Sequence, residues 1–81
     1  MAPTTAPSAD DLAALHRDWE HVHQRLRVRE QELSTAIASY ARGEGPRPEA
    51  MISEVEGLRA ECSVRFKSLM DAVRSQSESR P

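Results

Sequence analysis

Leu12–Tyr40, LAALHRDWEHVHQRLRVREQELSTAIASY, carries apolar side chains at Leu12, Leu15, Trp19, Val22, Leu26, Leu33, Ala36 and Tyr40, in alternating steps of three and four with one vacancy at Arg29. Steps of that size bring a side chain back to the same face on every helical turn. The stretch therefore predicts one apolar stripe along a helix about 40 Å long at 1.5 Å per residue. A stripe of that length has to be covered by other helices, and the predicted fold class is all-α.

Outward from this stretch, Ser8 is the expected N-cap, since its hydroxyl can accept from the free amide three residues on, and Asp10 and Asp11 complement the positive end of the helix dipole. No proline or glycine follows until Gly43, which predicts a first helix over 8–42. Gly43-Glu44-Gly45-Pro46-Arg47-Pro48 combines residues that tolerate left-handed backbone with residues that stop a helix, so a turn is expected over 43–47. Pro48 and Glu49 suit the first turn of a second helix, expected over 48–75. The proline-rich lead-in, 1–7, and the serine-rich tail, 76–81, have compositions that favour disorder, leaving one domain over 8–75. The short turn predicts an antiparallel hairpin.

The second helix has its own rhythm, with Val55, Leu58, Cys62, Phe66, Leu69 and Val73 containing pairs eleven residues apart, a period close to that of a straight helix. Folding the chain about its turn predicts Tyr40 near Met51, Leu33 near Leu58, Leu26 near Phe66, Val22 near Leu69 and Trp19 near Val73. In that register Arg29 and Glu30 meet Glu61 and Arg65 around Cys62, a polar layer that sets alignment more than stability, because a partly exposed ion pair contributes only about 0–1 kcal/mol.

Eighty-one residues with three aromatics and 38% apolar content offer little material for a self-sufficient core. Cys62 is the only cysteine, which excludes an internal disulfide and the cysteine-rich zinc spacings. The expected stabiliser is association. Ile37, Met51, Ile52 and Met70 widen the apolar faces beyond a single seam, and the simplest solution is a homodimer forming an antiparallel four-helix bundle; a heterologous protein partner is the alternative. No signal-like start and no long apolar run are seen, so a bacterial cytoplasmic location is expected and no membrane association. Eleven basic against thirteen acidic residues give a formal charge of −2, without the basic excess that marks nucleic-acid binding.

Three sets of residues are candidates for chemistry. His16, Glu20 and His23 fall on one side of a helix, and glutamate three residues before histidine is the spacing of carboxylate-bridged metal bundles, with Asp71 able to join. Trp19 and Val22 hold the centre of the seam and push Glu20 outward, so no metal and no cofactor are expected. His16, His23, Glu30 and Ile37 form a row at seven-residue spacing beside the seam, where histidine protonation near pH 6 would weaken a dimer. His21, Gln24, Arg25, Arg27 and Arg29 form the most basic stretch, and a helical-hairpin dimer with such a face resembles the Rop-type plasmid regulators; the resemblance implies binding to paired RNA loops. Glu20, Glu30 and Glu32 interrupt that field, and no aromatic is interleaved for base stacking.

Cys62 reads as a small buried residue, and neither a phosphate-binding loop nor a nucleophile–base pair within one helix is present, so no enzymatic activity is expected. The leading expectation is a small helical interaction module, an adaptor, accessory subunit or secretion-type chaperone, with a nucleic-acid-binding regulator as the alternative.

Overall fold

The computed structural model describes residues 8–78, which form two helices, α1 (Ala9–Ala41) and α2 (Glu49–Glu78), packed against each other as a hairpin. Among the described residues there is no strand, and no helix is long and apolar enough to cross a membrane. The expected arm over 1–7 and the last tail residues, 79–81, lie outside the described residues.

Ser8 is the N-cap of α1, with extended backbone (φ −74°, ψ 169°). Its hydroxyl accepts from the Asp11 N–H at 3.1 Å while the Asp11 carboxylate accepts from the Ser8 N–H at 3.1 Å, so two otherwise unpaired donors are satisfied reciprocally. At the other end Arg42 caps the helix and Gly43 takes φ 74°, a conformation in which a side chain is strained. The N–H of Gly43 then donates to the Tyr40 carbonyl at 3.0 Å and that of Glu44 to the Ser39 carbonyl at 2.9 Å, closing off the last turn. Pro48 stands just before α2 rather than inside it, and its carbonyl accepts the first helical bond, from Ile52, at 2.9 Å. The far end of α2 runs through 76–78, three residues beyond the expected end. No glycine or proline follows Gly57 before Pro81, and serine costs only a few tenths of a kcal/mol in a helix.

The register of the two helices differs from expectation by about one heptad. Trp19 packs on Phe66 rather than beside Val73, with ring centroids 5.7 Å apart. Arg29 bonds Glu54 rather than Glu61, and Glu30 bonds Arg59 rather than Arg65, while Glu61 and Arg65 face each other within α2 at 3.8 Å. The turn is the cause. Gly45 folds back on the last turn of α1 so closely that a Cβ there would sit 3.1 Å from the Ser39 hydroxyl. Gly45, Pro46 and Pro48 then line one groove with Ala36, Ser39 and Met51. Non-helical chain held by prolines advances about 3.3 Å per residue, against 1.5 Å in a helix, so this short return covers the length of roughly two helical turns. Consequently α2 enters opposite Ala36, and Tyr40 projects past it, 48% exposed. A slip of seven residues is tolerated because seven residues are within about 20° of two full turns, which leaves the same faces inward.

The seam is one layer thick. Val22, Leu26, Val55, Leu58 and Cys62 form its buried centre, with Trp19 and Leu33 packed against it; Leu69 and Ala72 are buried further along α2. Val55, 1% exposed, is the most enclosed side chain.

Candidate interaction surface

Because the core is a single seam, the two long sides of the hairpin are where function can reside, and they differ in character. On one side Arg29 reaches across to Glu54 through two hydrogen bonds, of 2.8 and 2.5 Å, and also holds Glu32 at 2.8 Å. The bond from Arg29 is the main reason the Glu54 carboxyl titrates below its ordinary range, and the same bond raises the guanidinium above its own. His21, Gln24, Arg25 and Val28 surround this pair over a shallow hollow floored by Leu58. Asp18, Glu61 and Arg65 continue the same polar side. The most basic stretch of the chain thus meets carboxylates from both helices.

The other side carries exposed apolar groups among polar ones, and two rows build it. Along α1 run His16, His23, Glu30 and Ile37; along α2 run Ile52, Arg59, Phe66 and Val73, again at steps of seven. Glu30 and Arg59 bridge the two rows through hydrogen bonds of 2.6 and 3.1 Å. Trp19 wedges between the rows, stacked on His23 (4.9 Å, 27°) and tilted against both His16 (5.9 Å) and Phe66 (5.7 Å). Beneath the His23 ring lies Cys62, whose sulfur is 3.9 Å from Nδ1. Ile37, Phe66 and Val73 stay between 41% and 47% exposed, while Leu12, Ile52 and Met70 are half-buried.

The expected metal set does not converge. His16 turns to Glu20, Nδ1 to Oε2 3.8 Å, whereas His23 turns to Trp19 and Cys62. Among the described residues no three histidine, cysteine, aspartate or glutamate side chains are placed to hold a metal ion together. Asp71 pairs instead with Lys67 and Arg74 along α2. In place of the expected layer of Arg29, Glu30, Glu61 and Arg65 the hairpin has two separate ion pairs, one on each side. Of the expected interface and core residues, Val22, Leu26, Val55, Leu58, Cys62 and Leu69 are buried within the hairpin. Leu12, Leu15, Trp19 and Leu33 are half-buried, and Ile37, Tyr40, Phe66 and Val73 are exposed by two-fifths or more.

The α2 row and the His23–Cys62 contact were missed from sequence, although the signal for the row is plain once the α1 row is seen. Opposite each member of a seven-spaced row an antiparallel partner must offer a seven-spaced row of its own. Comparison with known protein families, curated proteins and solved structures finds no match to this chain.

Proposed function

We propose that this chain is a small non-enzymatic interaction module that works by helix-to-helix association through its apolar side. The observation that carries the reading is the half-exposed state of Phe66, Ile37 and Val73, aligned with Trp19, Ile52 and Met70 on one continuous side of a hairpin whose core is a single seam. Isolated apolar side chains on a surface are ordinary, but a contiguous row of large ones along two helices is the feature of a surface that another helix covers. The opposite side supports the same division of labour. Its central cation is already matched, with Arg29 engaged by Glu54 and Glu32, so a phosphate group would have to displace those carboxylates to reach it.

The test compares the wild type with the Ile37→Glu/Phe66→Glu variant, alone by sedimentation velocity and as bait in an extract of the native host. The reading expects the wild type to associate, with itself or with a captured protein, and the variant to lose that association at unchanged helicity. Identical behaviour of the two proteins in both formats refutes it.

A further inference from the structure

The outward face of α1 carries the cations that the hairpin leaves unmatched. Among the described residues every lysine and arginine of α2 and of the turn lies within 3.9 Å of a carboxylate, as does Arg29, whereas Arg17, Arg25 and Arg27 do not. Helical spacing explains the exception, because a carboxylate three or four positions away is what neutralises a cation on the same helix. Arg25 has His21, Val22, Val28 and Arg29 at those positions, none of them acidic, and it acts on Glu54 only through space. Arg17 and Arg27 have Glu20 and Glu30 there, but Glu20 turns to His16 and Glu30 is held by Arg59 from α2.

The three cations share one exposed face. Arg17, His21, Gln24, Val28 and Gln31 follow one another along it in steps of four, three, four and three, with Arg25 and Arg27 on its two flanks. Gln24 and Val28 are common to two shallow hollows, one bordered by Arg25 and the other by Arg27. Val28, 59% exposed, is the apolar group between them. Alternating steps of three and four are the rhythm that a second helix follows along a first.

We infer that this face docks an acidic amphipathic helix of another protein, its carboxylates toward Arg17, Arg25 and Arg27 and an apolar side chain on Val28. This surface is separate from the side that carries Phe66 and goes beyond the role proposed for it. Carboxylates arriving here displace no existing ion pair, and complementarity of this kind selects partner and orientation more than it adds affinity. The same features disfavour a nucleic-acid strand. A polyanion responds to the field of the whole chain, whose formal charge is −2, while a helix meets the local cations alone. Val28 also offers an apolar contact where base stacking would need an aromatic one.

The experiment uses the full chain and a fluorescently labelled peptide, roughly three heptads long, with leucine along one stripe and glutamate on both flanks. Binding is read by anisotropy at about 50 mM salt, where exposed charges are little screened. The wild type is expected to bind this peptide and not its glutamine-for-glutamate counterpart. Arg17→Glu/Arg25→Glu/Arg27→Glu should weaken binding about tenfold or more, and Val28→Ser should weaken it several-fold, with helicity intact. Arg17→Gln/Arg25→Gln/Arg27→Gln is expected to weaken it as well and serves if charge reversal disturbs α1. Arg42→Glu/Arg47→Glu/Arg74→Glu changes net charge equally and should leave binding within about twofold. Absence of binding, or equal losses in the two charge-reversed variants, overturns the inference. So does tighter binding of an RNA oligonucleotide than of the peptide. Binding that is lost in Ile37→Glu/Phe66→Glu and kept in the arginine variants also overturns it, while supporting the role proposed for the other side.

Discussion

Phe66→Ala separates a hairpin that stands alone from one whose apolar side is covered. Burying a phenylalanine side chain in full contributes about 3 kcal/mol. In the single hairpin Phe66 is 45% exposed, so little more than half of that, about 1.5 kcal/mol, is at stake. Alanine returns about 0.5 kcal/mol of helix propensity, leaving a net loss of about 1 kcal/mol. If a second copy covers the ring, the whole side chain is lost from a filled space and the cost rises to about 3–4 kcal/mol per chain. Leu58→Ala provides the reference: Leu58 is 5% exposed in the hairpin itself, and its loss of about 2–5 kcal/mol is the same in either case. The assay is urea unfolding followed by circular dichroism at two protein concentrations about 100-fold apart. A dimer gains about 2.7 kcal/mol of apparent stability over that range, whereas a monomer gains none. The expected result is a concentration-dependent midpoint for the wild type and a Phe66→Ala loss that approaches that of Leu58→Ala. A midpoint that does not move, together with a loss near 1 kcal/mol, refutes the reasoning.

The ends of the hairpin and its polar side yield three further expectations. Ser8→Ala removes the hydroxyl that caps Asp11 and should cost about 1 kcal/mol, read as faster amide exchange in the first turn of α1. At Gly43 an added methyl meets no atom within 4 Å, so Gly43→Ala should cost about 1 kcal/mol through its φ of 74° alone, read as a lower melting temperature. Glu54 has its folded pKa below its unfolded value of about 4.3, so the native state binds fewer protons; its contribution is present above that pH and fades as the pH falls through the folded pKa. Thermal melts at about pH 6 and pH 3 should therefore show a larger acid-induced loss for the wild type than for Glu54→Gln, and equal losses would remove Arg29–Glu54 as a pH-sensitive contact.

Local chemistry made most of the fold legible. Ser8, Asp11, Gly43 and Pro48 act through contacts with residues a few positions away, and such contacts can be read from neighbours in the chain. Register is a different kind of property. It depends on how much length the turn consumes, and a turn folded back on Ser39 cannot be told by composition from one that reverses directly. Both alternatives keep Val55, Leu58 and Cys62 inward, so hydrophobic pattern alone scored them equally. Only pairwise groups such as Glu30 with Arg59, or Trp19 with Phe66, distinguish the two alignments. The contact between His23 and Cys62 escaped notice for the same reason, since it joins the two helices and depends on their register.

The turn therefore reaches further than the hairpin it closes. In the register expected from a direct reversal, Glu30 would stand by Arg65, Trp19 by Val73 and Tyr40 by Met51. The folded-back turn draws α2 along α1 until Glu30 meets Arg59, Trp19 meets Phe66 and His23 meets Cys62. Gly45 is the hinge of this dependence, because a larger residue there must displace the Ser39 side chain and move the entry of α2. Gly45→Val should thus weaken self-association through the side that carries Phe66 more than it lowers the helix content, since the seam can re-form at another heptad while the pairing of Trp19 with Phe66 cannot. Measuring both quantities on one sample checks the link, and a variant that loses helicity but keeps its self-association constant would break it.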